Sequence, residues 1–196
     1  MLCLLGLIGC AGVEADGSDT TEHAVATTGI AKRLVVDGKR IIDPATGQAV
    51  VLRGVNIAGS AKLPPFLPFR PGTDGKLDVA AIEHHFELLG TQGFNSIRHT
   101  FYWEAYEPTR GVDDETYLAR YAEVAEIATR KNFYVIVDIH QDLFSRHAGK
   151  GCGSGFPRWT VPERYRAEAP LNPGVGCGQA WSQEVINSGV TESFAT

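Results

Sequence analysis

Three short runs of this 196-residue chain put polar groups where an apolar strand would end. They are Asn56, followed by Lys62-Leu63-Pro64-Pro65-Phe66; Arg98-His99, running on into Phe101-Tyr102-Trp103-Glu104; and His140-Gln141-Asp142. Amide, guanidinium, imidazole and carboxylate groups give directional hydrogen bonds, and the aromatic side chains give flat apolar faces. That set suits a sugar, whose hydroxyls need donors and acceptors and whose ring has a C–H face. Asp138, His140 and Asp142 alternate, so a strand places them on one face. As a metal site the set is weak, because one His lies between carboxylates with no second His at ligand spacing. His84-His85 falls in a helical stretch, where at most one ring faces any given site. There is no GxSxG elbow and no Gly-rich phosphate loop, so serine-hydrolase and nucleotide-binding readings have no foothold, and the expectation is no metal and no cofactor.

The elements that would carry these residues alternate. Leu34-Val35-Val36, the turn Asp37-Gly38 and Arg40-Ile41-Ile42 predict a hairpin. A strand over 50–56 follows. Asp78 is placed to cap a helix with Val79, Ile82, Phe86 and Leu89 at helical spacing, ending at Gly93. Residues 94–99 read as the next strand. Asp113 or Asp114 caps a second helix, with Tyr117, Leu118, Tyr121, Val124, Ala125 and Ala128 on one face and Arg130-Lys131 at its negative end. The nearly continuous apolar run over 133–139 reads as a strand buried on both faces of a parallel sheet.

Strand, helix, strand, helix, strand is an α/β pattern. Strand centres near Leu52, Ile97 and Ile136 lie about 40 residues apart, and at that pace eight strands need well over ~250 residues. The expectation is therefore a (β/α)8 TIM barrel of which only the first three to four strands are present over 33–196, preceded by the hairpin. A Gly- and Pro-rich loop after His140 and a helix start around 181–194 would complete the chain.

With 43% hydrophobic residues the chain can bury one sizeable core, and a net charge of −5 with no basic run makes nucleic acid an unlikely partner. No window has the roughly 18 to 20 uncharged apolar residues of a membrane span. Residues 1–10 read as an export signal, and Leu7-Ile8-Gly9-Cys10 resembles a bacterial lipoprotein box, which would make Cys10 the lipidated residue. An ordinary secretory signal is the alternative. Either places the protein outside the cytoplasm, with 11–32 as a flexible linker. Cys3 and Cys10 belong to the signal, so Cys152 and Cys177 are the candidate disulfide.

The chain also resembles glycoside hydrolase family 5, and within it the endoglycoceramidase-like enzymes. The segments that carry the resemblance are Val51-Leu52-Arg53-Gly54-Val55-Asn56, Lys62-Leu63-Pro64-Pro65-Phe66, Gly93-Phe94-Asn95-Ser96-Ile97-Arg98, Trp103-Glu104-Ala105-Tyr106-Glu107-Pro108 and Asp138-Ile139-His140-Gln141-Asp142-Leu143-Phe144-Ser145-Arg146. The resemblance implies retaining hydrolysis of a β-glycosidic bond by two Glu side chains, with a carbohydrate or glycolipid as substrate. It implies that Arg98 supports the nucleophile and that His140, Asp142 and Lys62 hold the sugar; Trp103 is a further candidate by residue type, able either to stack on a sugar or to pack in the core or a loop. Glu104 and Glu107 follow strand two, where the family has no catalytic acid. The Asn-Glu dipeptide that carries the family's acid/base is absent from these residues, so the expectation is a chain inactive by itself. A β-glucanase or cellulase of the same family is the alternative enzyme, and a non-catalytic surface carbohydrate-binding lipoprotein is the alternative of another kind.

Overall fold

A computed structural model describes residues 34–167. It opens on an antiparallel hairpin, β1 (Val35–Asp37) and β2 (Arg40–Ile42). Asp37 pairs with Arg40, so the two-residue turn is Gly38-Lys39, one position later than the Asp37-Gly38 that the sequence predicts. Gly38 takes a φ of 58°, and that left-handed demand fixes the turn on the glycine.

The third strand, β3 (Gly54–Asn56), is shorter than the sequence predicts. The backbone just before it bonds to a side chain instead of a ladder. Asn95 Nδ2 donates to the Val51 carbonyl at 2.9 Å, and the Arg53 N–H donates to Asn95 Oδ1 at 2.7 Å. Helix α1 (Val79–Thr91) follows, capped by Asp78, whose carboxylate accepts the Ala81 N–H at 3.0 Å. Next come β4 (Ser96–Phe101), a one-turn helix α2 (Trp103–Tyr106), helix α3 (Glu115–Arg130) and β5 (Tyr134–Ile139). Of the two candidate caps of α3, Asp114 is the one used, accepting the Tyr117 N–H at 2.9 Å.

β3, β4 and β5 form a parallel sheet in that order, with α1 and α3 as the two connections. The core between sheet and helices includes Ile82, Phe86, Ile97, Val124 and Ile127, all at 1% exposure or less. Burying one such side chain contributes roughly 1.5–3 kcal/mol. Ile127, absent from the helix face that the sequence predicts, is wholly buried, while Leu118 and Ala125 are half-buried.

β5 departs from expectation. Ile136, Val137 and Ile139 are 47%, 58% and 69% exposed, so the strand is not covered on both faces. It is the outer strand of the sheet among the described residues, and no α-helix follows it there. Because the three strands are parallel, Asn56, Phe101 and Ile139 end at the same edge, and the polar runs of the sequence gather there.

Candidate active site

The site begins with register. Arg98 pairs with Ile136 and Thr100 with Asp138, so the side chains of Arg98 and Asp138 emerge on the same face of neighbouring strands. The Arg98 guanidinium reaches Asp138 at 2.7 Å. His140 continues the ladder just past β5, its N–H donating to the Phe101 carbonyl at 2.9 Å. Two-residue alternation then returns the His140 ring to the face of Asp138, with Nδ1 2.9 Å from Asp138 Oδ2. On its other side Nε2 lies 3.2 Å from Asp142 Oδ2. Asp142 in turn forms an ion pair with Lys62, which ends the 3-10 turn Gly59–Lys62 after β3.

The result is a line of five side chains, Lys62, Asp142, His140, Asp138 and Arg98, in which cationic or donor groups alternate with carboxylates. With a proton on each nitrogen the imidazole donates to both carboxylates; with a single proton it keeps one of those bonds. The line is more enclosed at its middle than at its ends: the His140 side chain is 11% exposed, against 41% for Lys62 and 38% for Arg98. Burial raises the affinity of Asp142 for a proton. The hydrogen bond and charge of Lys62, with the charge and hydrogen bond of His140, outweigh burial and hold its carboxyl below the ordinary value.

Tyr102 packs against the imidazole. It is fully buried, with its ring edge-on to His140 at 5.5 Å, and burial pushes its phenol up to about 12. It is therefore a neutral hydroxyl throughout the physiological range. Beside Arg98 a cavity of about 260 Å³ opens, lined by Asn56, Ser96, Ile97 and Ile136 among others.

Of the residues the sequence singled out, Lys62, Arg98, His140 and Asp142 come together and Trp103 goes elsewhere. Its indole N–H donates to Glu107 at 2.7 Å, and its ring packs edge-on against Phe156 and Trp159 at 5.3 and 5.2 Å. Glu104 and Glu107 take different surroundings. Glu107 accepts the Gly111 N–H at 2.6 Å and the Trp103 indole, bonds that hold its carboxyl below the ordinary value, whereas Glu104 is buried with a separate set of partners. Cys152 is disulfide-bonded; Cys177 and Cys10 lie outside the described residues.

Two residues gain an importance that the sequence alone does not give them. Asp138 stands in the sequence as part of an alternating set suggestive of metal, and the signal for its real partner is the Arg98 two positions before its register mate Thr100. Tyr102 is visible there only as one of several aromatic faces. Both carboxylates of the line already carry side-chain cations. Such an array orders hydroxyl groups by donor and acceptor, and is poorly suited to a divalent ion that wants uncompensated carboxylates.

Comparison with known proteins identifies the family and the fold. Residues 46–171 match the family model described as Cellulase (glycosyl hydrolase family 5). The chain is 38% identical, over 66% of its length, to a glucosylceramidase of Aspergillus fumigatus, and 34% identical, over 72%, to endoglycoceramidase I of Rhodococcus hoagii. It covers 18% of the first relative and 26% of the second. Among solved structures it is similar to endo-glycoceramidase II from Rhodococcus sp. in a cellobiose-like isofagomine complex. That likeness has a TM-score of 0.56 at 26% identity, over 76% of this chain and 32% of that one. The three parallel strands and their helices are thus the opening units of a (β/α)8 barrel.

Proposed function

Because this chain belongs to glycosyl hydrolase family 5, we propose that it forms the sugar-holding wall of a retaining β-glycosidase that acts on glycolipids. The observation that carries the reading is the line from Lys62 to Arg98. A sugar hydroxyl that meets Lys62 and Asp142 finds a donor and an acceptor fixed side by side, and neither has to be reoriented. His140 adds a third polar edge at the same place. Arg98, at the other end, supplies positive charge that keeps a neighbouring carboxylate nucleophile ionised.

Retaining hydrolysis uses one carboxylate to attack the anomeric carbon while a second protonates the departing oxygen; water, deprotonated by that second group, then releases the sugar. Asp138 and Asp142 do neither, since each is tied to a cation and to His140. The chain by itself binds the sugar head group and does not cleave it. The glycolipid class is supported by the relatives, which carry the names glucosylceramidase and endoglycoceramidase.

Titration of the chain with lactose, with cellobiose and with glucosylceramide in micelles tests this. Asp142→Asn and Lys62→Met should each weaken binding roughly tenfold, the effect of one lost charge-assisted hydrogen bond. Unchanged binding in both variants rules the reading out, and binding of cellobiose without any of glucosylceramide moves the protein to the glucan-cleaving side of the family. The Cys152 disulfide supports a place outside the cytoplasm, and the Leu7-Ile8-Gly9-Cys10 run is the reason to propose a lipid at Cys10. Labelled palmitate should enter the parent protein and not a Cys10→Ala variant.

A further inference from the structure

We propose that Glu104 is a positioning residue which, acting through Arg146, holds Lys62 and Asp142 against each other. The proposal rests on the preceding reading only for the use to which that pair is put.

Glu104 has no place in the line of five side chains, yet its carboxylate is among the most enclosed charged groups described, with a side-chain exposure of 2%. Burying a carboxylate costs several kcal/mol unless it is paired and hydrogen-bonded. Here Arg146 Nε donates to it at 2.6 Å, the Gly155 N–H donates at 3.2 Å, and His147 Nε2 lies 3.3 Å away. Burial raises its proton affinity, and the His147 and Arg146 bonds together outweigh that and hold the carboxyl below its ordinary value. Glu104 is therefore an anion.

All three partners belong to the loop that follows β5, the loop that begins with Gln141 and Asp142. The Glu104 N–H also donates to the Gly155 carbonyl at 2.8 Å, so Gly155 is fixed at both its polar groups. Asp142 and Ser154, the residue before Gly155, exchange both backbone hydrogen bonds, at 3.0 and 2.7 Å. Fixing Gly155 thus fixes the backbone of Asp142.

The other half of the connection is Arg146. Its guanidinium, held by Glu104, lies 5.3 Å over the ring of Phe66. Phe66 follows Lys62 by four residues and is 7% exposed, and its N–H donates to the Leu63 carbonyl at 2.7 Å in a tight turn. One guanidinium therefore touches the segment that carries Lys62 and belongs to the segment that carries Asp142. The short helix α2 supplies the anion that keeps it there.

A purely structural Glu104 would support the fold without governing the ion pair, and the sign of one measurement separates the two. The whole chain, labelled with 13C at its carboxyl carbons, is titrated by NMR to read the Asp142 midpoint. Through space, loss of the Glu104 charge in Glu104→Gln lowers that midpoint, because a neighbouring anion has gone. Loss of position takes Lys62 away from Asp142, and the midpoint rises toward the ordinary carboxylate value. The proposal expects the rise. It also expects Lys62→Met to raise the midpoint, and the double variant to add nothing to Lys62→Met.

Arg146→Lys covers the case in which Glu104→Gln does not fold. It keeps a cation beside the buried carboxylate but loses the planar group over Phe66, and it too should raise the Asp142 midpoint. A midpoint that stays put or falls in the folded variants overturns the proposal. If the midpoint rises while sugar binding is indifferent to Lys62→Met, the sugar-holding role fails and the positioning of the pair stands.

Discussion

His99 and Tyr121 stack face to face, with ring centroids 3.9 Å apart and planes within 7° of parallel. The Tyr121 hydroxyl donates to the His99 carbonyl at 3.0 Å, and His99 Nε2 lies 3.2 Å from the Tyr121 carbonyl. A carbonyl only accepts, so Nε2 carries the ring proton. Nδ1 is buried with no partner among the described residues, and a second proton there would bring an uncompensated charge into the core. Burial accordingly drives His99 down to about 4, against the opposing pull of the Tyr121 carbonyl.

A base with a folded-state value below its unfolded one stabilises the fold fully above the unfolded value, and that stability is lost as pH falls toward the folded value. For His99 the window runs from about 6.5 down to about 4, and the loss approaches roughly 3 kcal/mol. Urea unfolding at pH 7, 5.5 and 4.5 should show it as a falling midpoint. His99→Gln, less stable at neutral pH for want of the stack, should show a flatter slope through the window. Equal slopes would mean that His99 does not titrate with folding.

Asp113 and Asp114 look interchangeable as caps of α3, and the fold gives them separate tasks. Asp114 accepts the Tyr117 N–H at the helix start, while exposed Asp113 accepts the Tyr106 hydroxyl at 2.9 Å. Asp114→Ala should cost about 1 kcal/mol, the usual value of a helix cap. Asp113→Ala should cost less than about 0.5 kcal/mol, as surface substitutions do. Thermal unfolding of the two variants side by side decides it, and a larger cost for Asp113→Ala would reverse the assignment.

Much of this was legible in the chain. Asp78 capped what it was placed to cap, and the apolar spacing of Val79 to Leu89 and Tyr117 to Ala128 located both long helices, because helical period and capping are local properties. The strand ends gave Arg98, His140, Asp142 and Lys62, because a parallel α/β sheet gathers its polar strand ends on one side. The Lys62–Asp142 contact joins residues far apart in sequence, and no local pattern encodes it. Glu104 was hidden for a related reason: its meaning lies in what Arg146 and Gly155 do after a long loop has closed. Trp103 reads either way in the sequence, because an indole that could stack on sugar is chemically the same as one that packs on Phe156 and Trp159.

Asn95 is a loop residue with a strand's task. Its amide both donates to Val51 and accepts from Arg53, standing in for a neighbouring strand along the start of β3. Asn95→Ala leaves a carbonyl and an N–H to find water, and should cost roughly 1–3 kcal/mol. Asn95→Asp keeps the acceptor and loses the donor, so it should fall between parent and Ala. Hydrogen exchange at the Arg53 amide is the direct check, expected to quicken in Asn95→Ala and to stay slow in Asn95→Asp.

Gly155 sits where the Glu104 contact and the His140 backbone converge, and space there is already used up. A Cβ at this position would lie 2.5 Å from the His140 carbonyl oxygen and 2.7 Å from Gln141, and the residue's φ is 116°. Gly111 provides the control, with a φ of 74° and nothing within 4 Å of an added methyl. Gly111→Ala therefore carries the conformational cost alone, about 1 kcal/mol. Gly155→Ala adds a collision that only a backbone shift relieves, for a total of roughly 2–4 kcal/mol. Because the atoms that must move belong to His140 and Gln141, the damage should extend to the site: Gly155→Ala should bind lactose more weakly than Gly111→Ala even at temperatures where both are folded. Equal affinity in the two variants would show that the His140 backbone does not set the sugar contacts.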